Sequence, residues 1–464
     1  MTKKRYYLIG IGGIAMASLA GLLKEKGHDV TGSDQAMYPP ASDFLNRLNI
    51  PVYSPYNPKN LQKARPDMVV VGNAVGRGHA ELEALLESGI PYRSMSEILT
   101  EEFIEGKKAI VITGTHGKTT TTSLVAWILE CAGLDPTMFV GGIAKNFASS
   151  FKYGAGEYIV LEGDEYDTAF FDKGPKFWHY RPHIGLVNNI ELDHVDIYKD
   201  LDAIKFAFAR FMNLIPQNGL LVVNQENNTA HALARAKARS PLLTTGISRG
   251  DYHTKDITFD TATTFTVYEK EKSLGIFSSD LLGKHNVQNI LAAIAIARFL
   301  KISASTIRSA VASFEGVKRR ADIIGVKNTV TVIDDYAHHP TAVRETLDGL
   351  RKKFPKQRLL AIFEPGSASS KRRIFENDYI KAFMHADLVY IYKPYSPGAL
   401  KKGETFHSAT VAQALKKHTI PARSFLELEP MLSSLKKEKQ PYDVIVIMSC
   451  RGFDGLYKKI WEVL

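Results

Sequence analysis

The stretch Val111-Ile-Thr-Gly-Thr-His-Gly-Lys-Thr-Thr-Thr-Thr122 joins the end of an apolar run to a glycine loop and the start of a helix. Residues 109–112 predict a short buried strand, and a helix is expected from Lys118 to Glu130. Gly114 and Gly117 permit the tight loop between the two. A strand, a glycine loop and a helix in this order direct backbone N–H groups toward one point, where a phosphate can bind. The stretch therefore predicts an ATP site in an α/β domain.

The individual side chains of this loop support the same interpretation. Lys118 would reach the terminal phosphates of ATP, and the Thr119 hydroxyl would hold Mg²⁺. The loop departs from the usual pattern at Ile112, where a glycine is expected, so it is a shortened variant. A chance Gly-Lys-Thr sequence at a helix start is the alternative. The residues predicted to bind ATP in this loop are Gly114, Thr115, His116, Gly117, Lys118, Thr119 and Thr120.

Length and composition indicate a globular enzyme with several domains. The 464 residues are 45% hydrophobic and 23% charged, and a chain of this length usually forms about three domains. We expect an N-terminal Rossmann-like domain (1–105), a central ATP-binding domain with a mostly parallel sheet (106–316) and a C-terminal Rossmann-like α/β domain (317–464). All three belong to the α/β class.

Charge and cysteine content exclude several other classes of protein. No leader precedes the first strand and no apolar run is long enough to span a bilayer, so we expect a cytoplasmic protein without a membrane partner. Two cysteines cannot build a disulfide framework or a zinc site. The net charge of +10 comes from scattered residues. Surface solvation is the commoner reason for such charges, and nucleic-acid binding would need a recognisable module, which is not found. A polyanionic small substrate fits the charge equally well. Oligomeric state is left open.

The N-terminal segment has a second glycine loop. A strand over residues 5–9 leads into Gly10-Ile-Gly-Gly-Ile-Ala-Met16, and a later strand ends at Asp34. This arrangement predicts a diphosphate at a helix N terminus. A nicotinamide or flavin enzyme would share it, and a ligand-free turn is a further alternative. Residues 79–104 are expected to be helical, with one interruption at 89–91.

Polar residues follow two apolar strands of the central domain. The acidic cluster of residues 162–167 comes after the strand 158–161, and Asp193-His194 comes shortly after the strand 184–187. Ligands of doubly wound sheets collect at such strand ends, so we expect Thr119, Glu162 and His194 to be neighbours. Residues 240–282 predict an antiparallel elaboration. A helix from Gly283 to Leu300 then carries Asn286 and Asn289 on one face, where they can cap the helix or contact a base.

The C-terminal domain also has apolar strands that are followed by polar residues. Four strands are predicted at residues 330–333, 359–363, 388–392 and 444–448, and each is followed by polar residues. These groups are Asp334-Asp-Tyr-Ala-His-His339, Glu364-Pro-Gly-Ser367, Lys393-Pro-Tyr395 and Ser449-Cys-Arg-Gly452. Parallel strands would place them along one crevice, which we interpret as the binding site of a second substrate.

Taken together, these motifs resemble the Mur ligase family over all three domains. The resemblance implies that ATP phosphorylates a muramoyl carboxylate, and that an amine then attacks the resulting acyl phosphate. It implies Lys118, Glu162 and His194 as catalytic residues, and Thr119, Glu162 and His194 as Mg²⁺ ligands. It further implies ATP contacts from Asn286, Asn289, Arg320 and Asp335. The UDP-sugar contacts that it implies are Gly10, Gly12, Gly13, Ala15, Met16, Ser33, Asp34 and Asn73, and candidate peptide contacts are His338, His339, Arg372 and Arg451.

Within the family, two branches are similar to this chain. Asp334-Asp-Tyr-Ala-His-His-Pro340 resembles the branch that joins L-alanine to UDP-N-acetylmuramate. Residues 170–173, 176–182 and 363–365 resemble the branch that attaches the recycled tripeptide L-alanyl-γ-D-glutamyl-meso-diaminopimelate. The tripeptide is the expected substrate and L-alanine the alternative. Gly366 and Arg451 depart from the tripeptide branch, which has an arginine at the first position and a glycine at the second. A nicotinamide-dependent dehydrogenase and a non-catalytic nucleotide switch are the alternatives outside the family.

Overall fold

The computed structural model describes residues 2–38, 41–395 and 403–464. Its N-terminal part is built on a parallel sheet of five strands, β1 (Arg5–Ile9), β2 (Asp29–Ser33), β3 (Val52–Tyr53), β4 (Met68–Val71) and β5 (Tyr92–Ser94). The strand order is β3-β2-β1-β4-β5. The glycine loop follows β1, so it lies at the carboxyl edge of the sheet. Because β1 is the central strand, the loop opens at the middle of that edge.

Five helices accompany this sheet, namely α1 (Ile14–Glu25), α2 (Ala41–Arg47), α3 (Lys59–Ala64), α4 (Ala80–Ser88) and α5 (Met95–Leu99), and a π-helical turn (Thr100–Ile104) follows. Helices cover most of the span 79–104, as predicted, but the interruption is longer than the predicted 89–91 because β5 separates α4 from α5. A strand of three residues is too short to show an alternating pattern, so its sequence could not be distinguished from the helices around it.

The central sheet has ten strands. They are β6 (Lys108–Thr113), β7 (Thr137–Ala144), β8 (Ser149–Lys152), β9 (Tyr158–Glu162), β12 (Pro182–Val187), β13 (Leu220–Asn224), β14 (Leu242–Thr245), β15 (Tyr252–Phe259), β16 (Thr263–Glu269) and β17 (Lys272–Ser279); β10 (Asp167–Ala169) and β11 (Asp172–Pro175) form a separate hairpin. The order is β17-β16-β15-β14-β13-β12-β6-β9-β7-β8. Residues 109–113 are fully buried, as expected for a central strand covered on both faces.

Helices α6 (Lys118–Cys131), α7 (Leu201–Asn213), α8 (Asn228–Lys237), α9 (Lys284–Phe299) and α10 (Ala304–Ala312) pack on this sheet. The elaboration predicted for residues 240–282 is antiparallel in β15, β16 and β17. It is not antiparallel in β14, which pairs with β13 in parallel. Residues 242–245 are a half-buried run too short to reveal a strand direction.

The C-terminal sheet has six strands in the described part of the chain, β18 (Asp322–Lys327), β19 (Val330–Asp335), β20 (Leu359–Phe363), β21 (Leu388–Tyr392), β22 (Ala422–Phe425) and β23 (Val444–Met448). Their order is β18-β19-β23-β20-β21-β22, and only β18 is antiparallel. The helices are α11 (Pro340–Lys353), α12 (Glu376–Ala382), α13 (Ser408–Lys417), α14 (Leu428–Glu438) and α15 (Leu456–Val463). The four predicted strands are adjacent, so their carboxyl ends share one edge; β18 and β22 were not predicted.

The N-terminal and central sheets meet where α1 packs against β8. Gly21 lies on α1, and a Cβ there would come within 2.1 Å of the Phe151 ring, so only glycine permits this approach. The hydroxyls of Ser18 and Ser150 are 2.6 Å apart at the same junction. These contacts give α1 a buried face toward the central domain.

No helix in the described residues is both long and apolar enough to cross a bilayer.

Candidate functional site

The loop between β6 and α6 has the backbone geometry that its sequence predicts. Gly114 has a φ of +131° and Gly117 a φ of +83°, and side chains are strained in this region. A Cβ at Gly117 would also come within 2.4 Å of Asn289 Oδ1. The loop therefore leads directly into α6, whose first N–H groups point out of the carboxyl edge of the sheet.

Lys118 lies inside this loop and contacts the acidic cluster after β9. Its Nζ donates to the Gly114 carbonyl at 2.7 Å and forms an ion pair with Glu165 Oε2 at 2.8 Å. Burial alone would lower the pKa of Lys118, but the nearby carboxylates of Glu165, Asp164 and Glu162 raise it overall. The side chain is thus a permanent cation at the point where phosphate charge would lie.

Thr119 and Glu162 form a second buried pair beside the lysine. The Thr119 hydroxyl donates to Glu162 Oε1 at 2.8 Å, and the Gly141 N–H donates to Glu162 Oε2 at 2.7 Å. Burial and the neighbouring Asp164 raise the pKa of Glu162. The structure therefore brings together two of the three predicted metal ligands.

His194, the third predicted ligand, faces Glu165. Its Nε2 is 3.3 Å from Glu165 Oε1, a buried oxygen that accepts no hydrogen bond from the described residues. Burial would lower the pKa of His194, but Glu165 and Asp193 raise it to about 9. Glu165, Asp193 and His194 offer ligand atoms within 4.8 Å of one another. With the Thr119 hydroxyl and the Glu162 carboxylate nearby, this set of mainly oxygen donors fits a divalent cation.

The two predicted adenine contacts form part of a buried chain of amides. Asn188 Nδ2 donates to Asn289 Oδ1 at 2.8 Å, Asn289 Nδ2 donates to Asn286 Oδ1 at 3.1 Å, and Asn286 Nδ2 donates to the Leu282 carbonyl at 2.7 Å. This chain connects α9 to the residue that follows β12 and lies against Gly117. These hydrogen bonds stabilise the loop. They do not test the predicted contacts of Asn286 and Asn289 with the adenine base, which stay predictions.

Arg320 extends from the C-terminal domain to the phosphate loop. Its Nη2 donates to Thr119 Oγ1 at 3.3 Å, and its guanidinium lies over the Tyr336 ring. Asp335 accepts from the Ala321 and Ala337 N–H groups, both at 2.6 Å. In this structure Asp335 therefore holds the turn that carries Arg320, and burial raises its pKa.

A bridging segment (residues 188–194) connects the phosphate loop to the C-terminal domain. On the loop side, the His116 N–H donates to Asn189 Oδ1 at 2.8 Å, and the Glu191 N–H donates to Thr115 Oγ1 at 2.9 Å. On the other side, Thr341 Oγ1 donates to Glu191 Oε2 at 2.7 Å. Burial would raise the pKa of Glu191, but His116 and Thr341 lower it to about 2. An ionised Glu191 thus connects both sides.

Two further bonds join the bridging segment to the C-terminal domain. Ser369 Oγ donates to Asp193 Oδ1 at 2.5 Å, and His339 Nε2 lies 3.3 Å from the Leu192 carbonyl. The His339 ring lies against His116, with centroids 4.7 Å apart. His339 therefore faces the phosphate loop. His338 is held through Nδ1, 3.0 Å from the Tyr336 carbonyl, and burial lowers its pKa.

The N-terminal glycine loop lies at the end of β1. The N–H groups of Gly10 and Ile11 donate to the Ser33 carbonyl at 2.9 and 3.1 Å, and the Gly12 N–H donates to Asp34 Oδ2 at 2.8 Å. Gly13 precedes the first turn of α1, which contains Ala15 and Met16. Asn73 Nδ2 reaches Asp167 Oδ1 of the central domain at 3.2 Å. The predicted UDP-sugar contacts therefore surround one strand end.

The crevice at the end of the C-terminal sheet contains an acid and a cation. Ser449 Oγ donates to Glu364 Oε2 at 2.5 Å, and burial raises the pKa of Glu364. Arg451 lies over the Tyr395 ring, and its Nε reaches the Gly366 carbonyl only at 3.4 Å. Arg372 Nη1 is 3.6 Å from Glu404. Among the described residues, no carboxylate forms an ion pair with Arg451.

Sequence reasoning missed two residues of this site. Glu165 belongs to the acidic cluster after β9, but its position in the chain did not distinguish it from Asp164 or Asp167. Glu191 precedes Asp193-His194 in a segment without regular structure, so no periodicity predicts where its side chain points. Both residues are identified only by the contacts that the fold brings about.

Comparisons with known proteins match the whole chain. Three family models match, the "Mur ligase family, catalytic domain" at residues 5–105, the "Mur ligase middle domain" at 112–297 and the "Mur ligase, glutamate ligase domain" at 319–451. UDP-N-acetylmuramate–L-alanyl-γ-D-glutamyl-meso-2,6-diaminoheptandioate ligase of Haemophilus influenzae is 36% identical over 462 residues, 99% of each chain. UDP-N-acetylmuramate–L-alanine ligase of Desulforapulum autotrophicum is 35% identical over 474 residues, 100% of each chain. The crystal structure of a murein peptide ligase from Psychrobacter arcticus is 33% identical, covers 99% of this chain and 98% of its own, and has a TM-score of 0.76.

Proposed function

This chain belongs to the Mur ligase family, and from that premise we propose that it joins the tripeptide L-alanyl-γ-D-glutamyl-meso-diaminopimelate to UDP-N-acetylmuramate. The enzyme is an ATP-dependent ligase of cell-wall synthesis that forms an amide bond. The substrates that we propose are those in the name of the Haemophilus relative. The L-alanine ligases are the second candidate, because one of them is nearly as similar over its full length.

The observation that favours the tripeptide is the charge of the C-terminal crevice. L-alanine brings one carboxylate to this site, whereas the tripeptide retains one on its glutamyl residue and two on diaminopimelate. The Arg451 guanidinium forms no ion pair with a described carboxylate, although its charge acts on the buried Glu364, and Lys371 and Arg372 add positive charge close to it. Guanidinium groups bind carboxylates through paired hydrogen bonds. An anionic peptide therefore fits this crevice better than a single amino acid.

The proposed reaction proceeds in two steps. An oxygen of the muramoyl carboxylate attacks the γ-phosphorus of ATP, the bond to the β-γ bridging oxygen breaks, and ADP leaves. The peptide amine then attacks the acyl carbon, loses a proton and displaces inorganic phosphate. In the first step Lys118 and Arg320 would stabilise negative charge around the transferring group, because both lie beside Thr119 at the start of α6.

We propose that Thr119, Glu162, Glu165 and His194 hold Mg²⁺ next to the γ-phosphate. Bound there, Mg²⁺ would neutralise charge on the phosphate oxygens. Ligation by His194 requires its neutral imidazole.

We also propose the domain boundaries 1–105, 106–316 and 317–464 and the UDP-sugar contacts at the end of β1. ATP would then lie between the second and third domains, where closure excludes water from the acyl phosphate.

The role of Arg451 can be tested with a pair of peptides. In the wild-type enzyme, replacing the diaminopimelyl residue by lysine removes one carboxylate and should raise the KM for peptide about tenfold or more. Arg451→Gln should raise the KM for the diaminopimelyl peptide by a similar factor, leave the KM for ATP within about twofold, and remove the preference between the two peptides. Equal discrimination by enzyme and variant would exclude Arg451 as the contact.

A further inference from the structure

The net positive charge of the chain is carried by its last third. Residues 317–464 contain 26 Lys and Arg against 16 Asp and Glu, whereas residues 1–316 contain 33 of each. The whole net charge of +10 therefore belongs to the C-terminal domain. Part of it lies around the crevice, where we propose that the anionic substrates bind. The remainder lies on a surface that the ligase reaction does not use.

That surface is the edge of the C-terminal sheet opposite the crevice. In a parallel α/β sheet the helices run against the strands, so helix C termini lie beside strand starts. Helix α11 ends at Lys353, α13 at Lys417 and α14 at Glu438. A shallow cavity of ≈ 680 Å³ is lined by the ends of α13 and α14 together with the starts of β20, β21 and β22. Arg351 connects the end of α11 to Asp387 at the same edge. The C-terminal ends of α11, α13 and α14 therefore lie at the same edge of the sheet as the starts of β20, β21 and β22.

The arginines and the lysines of this edge behave differently. Each arginine has an acidic partner, as Arg351–Asp387, Arg358–Asp443 and Arg423–Glu438. A group of seven lysines has no ion pair among the described residues, and we call this group the basic edge: Lys353, Lys356, Lys416, Lys417, Lys436, Lys437 and Lys439. Lysines at helix C termini favour the helix dipole. That effect does not explain why seven lysines at the ends of three helices, on both faces of the sheet, lack an acidic partner among the described residues.

Two exposed apolar side chains also lie near the starts of strands in this sheet. Tyr442, which precedes β23, is 68% exposed, and Met384, which follows α12, is 48% exposed. The Tyr442 N–H donates to Thr329 Oγ1 at 3.1 Å, which places it at the start of β19 and β23. An aromatic ring among lysines is typical of surfaces that contact the headgroup region of a bilayer.

We propose that the basic edge binds the surface of an anionic phospholipid bilayer. Phosphate recognition at a defined site uses the paired donors of arginine, and the arginines here are already occupied. Lysine ammonium groups on flexible stems suit a diffuse negative surface instead. The described residues contain no module that reads nucleic acid, which makes a lipid surface the better partner. The proposal revises the expectation that this chain has no membrane partner. It orients the crevice and the phosphate loop away from the bilayer.

Vesicle sedimentation with the 464-residue chain tests the proposal. With about one-third phosphatidylglycerol in phosphatidylcholine at low ionic strength, the protein should sediment with the vesicles, and about 0.5 M salt should release it. Replacing Lys416, Lys417, Lys436 and Lys437 by glutamine should lower the partition coefficient at least about 100-fold, since each lysine near the surface contributes roughly fivefold. The ligase activity of this variant in solution should be unchanged.

The matched control removes the same charge elsewhere. Lys59, Lys63, Lys237 and Lys272 are exposed on the other two domains, and replacing all four by glutamine should leave sedimentation within about threefold of wild type. Equal loss in the two variants, equal binding to pure phosphatidylcholine, or no binding to anionic vesicles would overturn the proposal. Tighter binding to duplex DNA than to vesicles at equal phosphate concentration would also overturn it, and would assign the edge to nucleic acid.

Discussion

At the scale of single residues, the site depends on carboxylates that each hold two side chains in place. Glu165 contacts both Lys118 and His194, and Glu191 contacts both His116 and Thr341. Each carboxylate is held ionised by its partners despite burial. Such pairs cost desolvation energy and stabilise little by themselves. Their main effect is to orient Lys118 and the phosphate loop.

Lys118 gives the first test at this scale. Lys118→Ala should lower turnover by at least about 10³-fold, because a preorganised cation at the transferring phosphoryl group is lost. UDP-N-acetylmuramate binding, measured by calorimetry, should stay within about threefold, since its proposed site lies at the end of β1. Lys237→Ala, on the exposed face of α8, is the control. Loss of UDP-sugar binding in Lys118→Ala would contradict this separation of the two sites.

Glu102 gives a pH-dependent test of stability. The Glu102 carboxylate accepts from Lys26 Nζ at 2.7 Å, Tyr6 OH at 2.7 Å and Lys4 Nζ at 2.9 Å. Burial would raise its pKa, but these donors hold the pKa well below its usual value. The stabilisation is therefore complete above the unfolded pKa of about 4.3 and is lost as the pH falls below it.

Thermal unfolding at several pH values measures this effect. Glu102→Gln should lower Tm at pH 7, where the ionised carboxylate is lost, and the difference from wild type should shrink toward pH 3. Glu101→Gln is the neighbouring control, since Glu101 pairs with the partly exposed Arg93 and exposed pairs contribute little. A Tm difference for Glu102→Gln that is constant across this range would exclude the proposed linkage.

At the scale of secondary-structure elements, the bridging segment and the start of α11 form one unit. The segment bonds to the phosphate loop on one side and to Thr341, His339 and Ser369 on the other. Each of these contacts is local, but together they make the conformation of the loop depend on the position of the C-terminal domain. The unit can therefore transmit domain closure to the residues that hold phosphate.

Thr341 tests that coupling. Thr341→Val keeps the shape of the side chain but removes the hydrogen bond to the ionised Glu191, an interaction of about 1.5–3 kcal/mol. We expect the KM for ATP to rise about tenfold, with UDP-sugar binding unchanged. Thr341→Ser retains the hydroxyl and should stay near wild type. If valine and serine variants have equal KM values for ATP, the bond does not couple the two domains.

The same elements show what sequence can predict. The strand, loop and helix at residues 109–131 are predictable because a buried parallel strand is continuously apolar and the two glycines mark the turn. The neighbourhood of Thr119 and Glu162 follows from the rule for strand ends. The partners of Glu165, Glu191 and His339 are not predictable in this way. They lie in irregular segments whose side-chain directions depend on contacts between domains.

At the scale of the whole molecule, each of three sheets has a loop or crevice at the carboxyl end of its strands, and there we propose that the UDP-sugar, ATP and the amine bind. The glycine loop after β1, the phosphate loop after β6 and the crevice after β19, β20 and β23 lie in different domains. The bridging segment and Arg320 connect the second site to the third, and Asn73 and Asp167 connect the first domain to the second. This arrangement suits a ligase that must bring a UDP-sugar, ATP and an amine together.

The choice of amine substrate is a property of the whole molecule, and ADP release with two amines distinguishes the two candidate functions. The enzyme is supplied with ATP, Mg²⁺ and UDP-N-acetylmuramate, and with either L-alanyl-γ-D-glutamyl-meso-diaminopimelate or free L-alanine at equal concentration. A tripeptide ligase should release ADP and form an amide product with the tripeptide, at a kcat/KM at least about 100-fold above that for L-alanine, equivalent to about 2.7 kcal/mol of discrimination. Efficient turnover with L-alanine and none with the tripeptide would contradict the proposed function.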